Sequence, residues 1–430
     1  MAVQLSTRPI SKEEAETFAH VGAGTLMGEL LRRYWWPIGI SADLKDKPTF
    51  IRLLCEDLVL FRDGEGRTGL LAAQCSHRGV NLCFGNSEVF GLRCRYHGWL
   101  YDIHGNVLDT PGEADESFKE TFKHPAYPAE ELGGLIWAYL GPEPAPLLPR
   151  FQFLVEGTRN VSIGQFENHN WLNGEENGMD PIHVTFLHGE VWPWVSAVPD
   201  DTRFELVGDQ DGNPWGIVYK AHRPDAQVGD RGTFRTGHQL EDFRLHALLM
   251  PGISRTMVSP SGLDYPVMVG GRWSVPIDDD HTMHVQVGNW SPKGDGKIVS
   301  TAPPSQQNRD ADAVAAGPRN RTAASPAVVA EPFKEYRETR KSEPVVLGYT
   351  IPNDAGAQDA TMRQSLGKLA DRIERERLLP TADTGVNQLR RLYLDMARRV
   401  QEGLDPMGTV RDPAQNELIV VRGDRRWPLD

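Results

Sequence analysis

Cysteine is scarce in this chain, with only four residues in 430. So few cysteines exclude the disulfide-stapled class of small secreted domains and suit a reducing compartment. The sequence also lacks any uninterrupted apolar run of ~18 residues, the length that a membrane-spanning helix needs. No apolar stretch follows the charged start of the chain, as it would in a signal peptide. We therefore expect a soluble, cytoplasmic protein.

An excess of positive charge is also missing. The chain carries 46 Lys and Arg against 59 Asp and Glu, a formal net charge of -13. Nucleic acid is therefore excluded as a partner, because phosphate binding needs a basic face. An acidic surface can instead meet a basic patch on a redox partner. The length allows a substantial core and predicts two domains.

Two short loops that each combine cysteine with histidine are the most informative feature present. They read Cys75-Ser76-His77 and Cys94-Arg95-Tyr96-His97. A Cys-x-His paired with a Cys-x-x-His is the ligand set of a Rieske [2Fe-2S] centre, in which two thiolates hold one iron and two imidazoles hold the other. Cys75, His77, Cys94 and His97 are therefore predicted to bind such a cluster and to carry single electrons.

A structural zinc site is the alternative for these four residues. Common zinc spacings keep Cys with Cys and His with His, whereas here each loop contributes one of each. The other two cysteines, Cys55 and Cys83, have no pairing partner in the sequence. We interpret both as small buried hydrophobic residues.

The first third of the chain divides into a helical start and a β-rich remainder. A capping box at Ser11 and apolar residues at helical spacing predict a helix over residues 11–36. Short apolar runs between Gly- and Pro-containing turns predict a small antiparallel β domain over 38–140. The Pro-rich segment 141–146 is typical of a stiff linker, which places two domains at 1–145 and 146–430.

The second half mixes helices with strands. We predict a helical patch over 173–188 and a long C-terminal helix over 386–400, capped by Asp383 or Thr384 and ended by Gly403. We also predict strands at 215–219, 245–250 and 284–288. The segment 302–330 lacks apolar periodicity, and we interpret it as a surface excursion.

The helical patch carries a second set of candidate metal ligands, in the run Asn177-x-x-Asp180-x-x-His183-x4-His188. Two histidines with one carboxylate form the facial triad of non-haem Fe(II) oxygenases. At ~100° per residue the two histidines lie ~140° apart around a helix, so a shared metal predicts that the helix ends or widens between them. The histidine pair alone is weak, but a one-electron donor in the same chain needs an acceptor, and we predict a mononuclear Fe(2+) site.

Together with the segment 21–35, the two Cys/His loops and the 177–188 run resemble the terminal (alpha) subunits of Rieske non-haem iron aromatic-ring-hydroxylating oxygenases. The phthalate dioxygenase branch is the most similar. The resemblance extends from about residue 20 to Pro406 and is weakest between 290 and 345. It implies an α+β fold, in which an N-terminal antiparallel β Rieske domain is followed by a helix-grip catalytic domain.

The resemblance also implies roles for several residues and an assembly. Protomers of such enzymes form head-to-tail rings, as trimers or stacked hexamers, so that the cluster of one subunit feeds the iron of the next. Asp180 then bridges a cluster histidine of one subunit and the iron ligand His183 of the next, with Asn177 beside it as a second catalytic candidate. The third iron ligand is sought among four aspartates, Asp354, Asp359, Asp371 and Asp383, of which Asp359 best matches the family segment.

The implied reaction uses O2 and electrons from a flavin and iron-sulfur, NAD(P)H-dependent reductase. Arg223, Arg235 and Arg244 occur where the resemblance places the pocket strands, and an arginine in an apolar pocket binds a carboxylate bidentately. We therefore expect ring dihydroxylation of an aromatic carboxylate, phthalate- or phenoxybenzoate-like. The alternative is oxidative O- or N-demethylation of a methoxy- or methylamino-arene.

A different class of function, a pure electron carrier, remains as a second hypothesis. Such a carrier would need neither the His183 and His188 pair nor the large second domain.

Overall fold

The computed structural model describes residues 10–189, 198–222, 243–257, 267–291, 298–300 and 355–423. Within these ranges no helix combines the length and the apolar character that crossing a membrane requires. The predicted excursion at 302–330 lies outside the described residues.

The N-terminal segment forms two short helices rather than the single helix that the sequence predicted. Helix α1 spans Lys12–Glu16 and begins with the expected capping box at Ser11. A 3-10 turn at Thr17–Ala19 follows, and α2 spans Leu26–Leu31. The prediction of one helix is wrong because Gly24 adopts a left-handed φ of 79° and the Thr25 side chain caps a new helix.

Three small antiparallel sheets follow, which confirms the predicted β region. One has the strand order β1-β11-β10, a second β2-β3-β4-β9 and a third β5-β6-β7-β8. The strands are β1 Trp35–Ile40, β2 Thr49–Leu53, β3 Glu56–Arg62, β4 Thr68–Ala72, β5 Asn86–Glu88, β6 Gly91–Arg93, β7 Leu100–Tyr101, β8 Val107–Asp109, β9 Ala126–Tyr127, β10 Ala129–Leu132 and β11 Leu135–Tyr139. Short 3-10 helices lie at Leu82–Phe84 and Glu116–Glu120.

The second half is built on one eight-stranded sheet with the order β13-β14-β15-β16-β17-β18-β12-β19. Its pairs are antiparallel except β12 with β19. The strands are β12 Thr158–Glu167, β13 Asp201–Gly208, β14 Pro214–His222, β15 Phe243–Leu249, β16 Ile253–Thr256, β17 Gly271–Asp278, β18 His281–Ser291 and β19 Ile298–Ser300. The strand-like runs predicted in this half are therefore confirmed.

Helices cover this sheet. They are α3 Gln152–Val155, α4 Trp171–Gly178, α5 Pro181–His188, α6 Ala355–Ser365, α7 Leu369–Ile373 and α8 Thr384–Gln401, followed by a 3-10 helix at Pro413–Asn416. The predicted long C-terminal helix is confirmed as α8, with Asp383 at the N-cap position. The linker region 141–146 forms neither helix nor strand. The domain boundary placed at 145 stays a prediction.

Alternation along β17 separates the apolar core from a polar face. Trp273 and Val275 are fully buried in the hydrophobic core, whereas Arg272 and Ser274 point to the opposite face and line a cavity. Buried ion pairs fix α4 above this face, because Glu176 bonds Arg372 at 2.6 Å and Arg390 at 2.6 Å. These pairs hold the helix that carries the polar residues of the cavity.

The predicted helical patch is two helices, α4 and α5, separated at Met179 and Asp180. The Asp180 carboxylate caps α5, and Pro181 occupies its first turn, where a missing N–H costs nothing. The predicted break between His183 and His188 is wrong. Helix α5 runs without interruption through both histidines and ends directly after the second.

Candidate metal centres

The two Cys/His loops share one backbone turn. The Gly79 N–H donates to the Cys75 carbonyl at 2.8 Å, and the Gly98 N–H donates to the Cys94 carbonyl at 3.0 Å. Both glycines have a left-handed φ, 76° and 78°, which a side chain would strain. The chain therefore builds two copies of one tight loop, each ending just after its histidine.

The shared turn places thiols inside and imidazoles outside. Cys75 and Cys94 are only 3% and 2% exposed and form no disulfide, and burial raises the pKa of Cys75. The His77 and His97 rings are 4.5 Å apart, and His77 stacks on Trp99 at 4.7 Å. Two buried thiols and two more exposed imidazoles fit a mixed-ligand [2Fe-2S] cluster whose imidazoles lie nearer to solvent, where a redox partner approaches.

The second constellation brings His183, His188 and Asp359 together. Their ligand atoms all lie within 4.8 Å of one another. The Asp359 Oδ1 atom is 3.6 Å from His183 Nε2 and 3.1 Å from His188 Nε2. Although the histidine backbones diverge around α5, their side chains converge at these atoms.

Hydrogen bonds at the other ring nitrogens fix how this trio can be protonated. His183 Nδ1 lies 2.6 Å from the Asp180 carbonyl, and His188 Nδ1 lies 2.8 Å from Gln358 Oε1, so each Nδ1 must donate a proton. With each Nδ1 as donor, the neutral form of each ring turns an Nε2 lone pair toward the Asp359 carboxylate. Two imidazole nitrogens and one carboxylate that converge in this way fit the ligand set of a mononuclear iron.

Asp359 is itself held in place by Asn177 and Arg363. Asn177 Nδ2 donates to Asp359 Oδ1 at 3.3 Å, and Arg363 donates to Asn177 Oδ1 at 3.1 Å. Arg363 also makes bidentate bonds of 3.0 and 3.1 Å to Glu167. Burial raises the pKa of Asp359, but the His188 contact and the Arg363 charge outweigh it and hold that pKa well below its usual range.

Asp180 contacts His183 through both its carboxylate and its backbone carbonyl, and its side chain is partly exposed. Its Oδ1 atom accepts from the backbone of Ile182 at 2.7 Å and of His183 at 3.3 Å. Its Oδ2 atom lies 3.7 Å from His183 Nδ1, while the Asp180 carbonyl makes the short bond to that nitrogen. The side chain is 31% exposed, so the carboxylate remains within reach of another chain.

Among the described residues, the other aspartates proposed as third ligand, Asp371 and Asp383, do not belong to this trio. Asp371 is exposed on α7. The Asp383 carboxylate accepts from the Leu379 backbone at 2.6 Å, ahead of α8. Asp354 lies outside the described residues.

A cavity adjoins the mononuclear centre on the polar face of the sheet. Together with its open mouth it contains about 510 Å³ free of atoms. One wall carries His183, His188 and Asp359. The sheet supplies the facing wall with Tyr219, His246, Ser254, Arg272 and Ser274.

The three arginines predicted to bind substrate are not among the residues shown to line this cavity. Arg223 and Arg235 lie outside the described residues. Arg244 lies on β15, in register with Ala221 and two residues before His246, and its side chain is not described. The sequence analysis did not identify Arg272. Its alternation with the apolar Trp273 is typical of a strand with one polar face and could have indicated it.

The sequence also gave no sign of the buried acid Glu175 on α4. It is 0% exposed, and neither carboxyl oxygen has a hydrogen-bond partner. Burial raises the pKa of Glu175 to about 8. This side chain is therefore largely protonated at neutral pH and carries little charge beside the cavity.

Comparison with known proteins agrees with this geometry. Residues 34–127 match the family model of the Rieske [2Fe-2S] domain. The chain is 32% identical to the 5,5'-dehydrodivanillate O-demethylase oxygenase subunit of Sphingobium sp. strain SYK-6, over 95% of this chain and 86% of the relative. It is also 32% identical to the phenoxybenzoate dioxygenase subunit alpha of Ectopseudomonas oleovorans, over 94% and 89% of the two chains.

Solved structures share the fold. The terminal oxygenase of carbazole 1,9a-dioxygenase from Nocardioides aromaticivorans IC177 aligns with a TM-score of 0.55 at 18% identity, covering 90% of this chain and 97% of that one. The α+β fold with an N-terminal Rieske domain is thereby confirmed.

The chain belongs to the Rieske non-haem iron aromatic-ring-hydroxylating oxygenases, as a terminal (alpha) subunit. It is thus an enzyme whose cofactors are a [2Fe-2S] cluster and a mononuclear iron. This membership excludes a free-standing electron carrier and a zinc site in the Cys/His loops.

Proposed function

We propose that this oxygenase uses O2 and externally supplied electrons to hydroxylate an aromatic carboxylate by ring dihydroxylation. The observation that carries the proposal is the placement of His183, His188 and Asp359 together on the wall of one cavity. The similarity to a phenoxybenzoate dioxygenase subunit, and to the phthalate 4,5-dioxygenase oxygenase subunit of Pseudomonas putida at 29% identity, supports the substrate class.

The metal ligands belong to this proposal. Cys75, His77, Cys94 and His97 hold the cluster, while His183, His188 and Asp359 hold the mononuclear iron. When bound, the cluster supplies single electrons and the iron activates O2. The protein supplies ligand geometry, electron access and substrate position.

The surrounding residues set the ligand geometry. The Asp180 carbonyl and the Gln358 amide each accept an Nδ1 proton, so both imidazoles present Nε2 toward the position of the metal. Asn177 and Arg363 hold the Asp359 carboxylate. Because all three ligands approach from the helices, the side toward the sheet stays free for O2 and substrate.

Electron transfer in this proposal requires other chains. A flavin and iron-sulfur, NAD(P)H-dependent reductase reduces the cluster, and a homotrimer or hexamer places one subunit's cluster beside the next subunit's iron. The partly exposed Asp180 carboxylate then bridges a cluster histidine of the neighbour and His183. We further propose a cytoplasmic location.

Oxidative demethylation of a methoxy- or methylamino-arene is the second candidate. The similarity to a 5,5'-dehydrodivanillate O-demethylase oxygenase subunit favours it. Both reactions would use the same iron ligands, so the ligands cannot separate them.

One substrate screen tests the proposal. The holoenzyme, with a surrogate reductase and NADH, is given substituted benzoates, their methyl esters and aryl methyl ethers, and O2 uptake and products are measured. We expect oxidised ring products from benzoates. Formaldehyde release from the ethers with no benzoate oxidation would favour demethylation, and oxidation of neutral arenes alone would contradict the carboxylate class.

A further inference from the structure

Arg272 is a cationic side chain on the wall of the catalytic cavity. It lies on β17, where Ser254 of β16 is its register partner, and both residues line the cavity. Burial lowers the pKa of Arg272 to about 10, so its guanidinium keeps its charge at neutral pH. A positive charge therefore faces the space opposite the three candidate iron ligands.

The carboxylates around Arg272 do not neutralise it. Glu167 is already bound on both oxygens by Arg363 at 3.0 and 3.1 Å. The Arg272 charge lowers the pKa of Glu175, but burial outweighs it and raises that pKa to about 8, so Glu175 is mostly neutral at pH 7. Asp359 influences Arg272 by charge, but its own contacts are with the two histidines and Asn177.

A guanidinium that is partly removed from water and has no ion pair is costly, and the cost falls when an anion enters. Among the described residues no carboxylate oxygen lies within 4.0 Å of Arg272, although many other arginines of the chain have such a partner. The planar fork of five N–H donors matches both oxygens of one carboxylate. The cavity thus provides one place where an anionic group is stabilised.

The residues next to Arg272 form a surface that can contact the aromatic ring of such an acid. Ser254 bonds His246 Nε2 at 2.7 Å, which fixes the His246 ring. That ring stacks on Tyr219 with centroids 5.5 Å apart and planes 17° apart. All three residues line the cavity beside Arg272, so a flat polar-aromatic surface adjoins the cationic group.

We propose that Arg272 anchors the carboxylate of the substrate and thereby selects aromatic acids over neutral arenes. This inference rests on the proposed function, and it assigns the anchor to β17 rather than to Arg223, Arg235 or Arg244. When Arg272 binds the carboxylate, the aromatic ring lies between the sheet and the iron ligands.

Equilibrium binding tests the anchor on the holoenzyme. Isothermal titration calorimetry measures the Kd of benzoate and of 4-phenoxybenzoate, each beside its carboxamide, for the parent and three variants. Arg272→Met removes the charge at similar length, and Arg272→Lys keeps a charge without the fork. The matched control is Arg255→Met, because Arg255 lies on the adjacent strand β16, also has a pKa lowered by burial, and does not line the cavity.

We expect Arg272→Met to raise the Kd of the acids ten-fold or more and to leave the Kd of the amides unchanged. Arg272→Lys should bind the acids at least three-fold more weakly than the parent, which keeps the test valid if the Met variant does not fold. Arg255→Met should bind acids and amides as the parent does. Iron and labile sulfide per chain should be the same in every variant.

Each contrary result has a distinct meaning. If the parent binds and oxidises benzoates and both Arg272 variants bind them equally well, the anchor is wrong and the proposed function stands. If acid and amide binding fall together with loss of iron, Arg272 has only a structural role and the proposal is also wrong. If the parent binds amides and neutral arenes but no acids, the carboxylate class fails, and the anchor fails with it.

Discussion

The two proposed metal centres of this protein are built in opposite ways. The cluster loops lie within 75–97 and repeat one local turn, closed by Gly79 and Gly98. The mononuclear centre joins α5 to α6, helices that the sequence separates by more than 150 residues. Its geometry depends on buried side-chain bonds between those helices. A centre made of local turns shows all of its ligands in one short stretch of sequence, whereas a centre assembled by tertiary contacts shows only some of them there.

This difference also predicts how each centre fails. Substitutions in the 75–97 loops should affect the cluster alone, because the hydrogen bonds of these loops, including those of Cys75 to Tyr101 and of Ser76 to His124, stay within the N-terminal β region. Substitutions around the mononuclear centre should act at a distance, since Asp359, Asn177, Arg363 and Glu167 form one connected chain of contacts.

The largest expected effect separates the two centres completely. Asp359→Ala should lower product formation by on the order of a thousand-fold or more, because catalysis by a metal ends when its carboxylate ligand is removed. The visible absorption of the cluster should be unchanged. Activity assays and absorption spectra check this.

The control for that prediction is Asp371→Ala, which removes an exposed aspartate of α7. This variant should retain both the activity and the visible absorption of the cluster. An Asp359→Ala enzyme with parental activity would move the third ligand to another residue.

The next largest effect should arise at Asp180, where the two centres meet in the proposed assembly. Asp180→Asn keeps the helix cap, because asparagine caps as well as aspartate, but removes the charge that Oδ2 presents near His183. Turnover should fall by on the order of a hundred-fold while iron and sulfide stay bound. Metal analysis and steady-state kinetics on one preparation measure both.

Asp412→Asn is the matched control, since Asp412 also caps a helix and precedes a proline. Its turnover should equal that of the parent. A similar loss in both variants would show that capping matters and that bridging does not.

A smaller change should be confined to the cluster. His97→Cys replaces a neutral ligand by a thiolate, which should lower the reduction potential by on the order of 200 mV or more. Protein-film voltammetry measures this. His104→Cys places the same thiol at an exposed position of the same region and should leave the potential unchanged. Equal potentials in His97→Cys and the parent would remove His97 from the ligand set.

The last expected effect concerns folding stability, with no effect on the metal centres, and tests the buried acid beside the cavity. Glu175 has a folded pKa of about 8, against 4.5 for the free side chain. The folded state therefore holds the proton longer than the unfolded chain, so stability falls as pH rises from about 4.5 to about 8 and changes no further above. Over that window the loss is on the order of 3 to 5 kcal/mol.

Glu175→Gln cannot ionise and should abolish this part of the pH dependence in denaturant unfolding at pH 5 and pH 8. Glu176→Gln is the neighbouring control. It should be destabilised at both pH values, because Arg372 and Arg390 lose their shared partner. An unchanged pH dependence in Glu175→Gln would show that Glu175 is ionised in the folded protein.

The sequence predicted the parts that depend on local pattern. The β strands of the first domain, the capping box at Ser11 and helix α8 are all confirmed. The helix over 11–36 was wrong because apolar spacing continued past Gly24, where the backbone turns left-handed. The predicted break in α5 was wrong because side-chain length, which helical angles ignore, lets His183 and His188 converge.

In the candidate site, too, the sequence indicated residues of a local motif but not those that only tertiary packing brings there. The spacing of 177–188 and the family resemblance named Asn177, Asp180, His183, His188 and Asp359, and the structure brings these residues together. Their roles as ligands and bridge stay predictions. Arg272 and Glu175 were missed, because strand pairing and helix packing decide which residues of a distant strand face the cavity.

The ratio of iron to labile sulfide in the purified protein tests the central claim, two separate iron centres in one chain, most directly. The parent should contain about three irons for every two sulfides, and His183→Ala about two for every two. A parent with about two irons for every two sulfides, or a His183→Ala variant that keeps the third iron, would contradict the account.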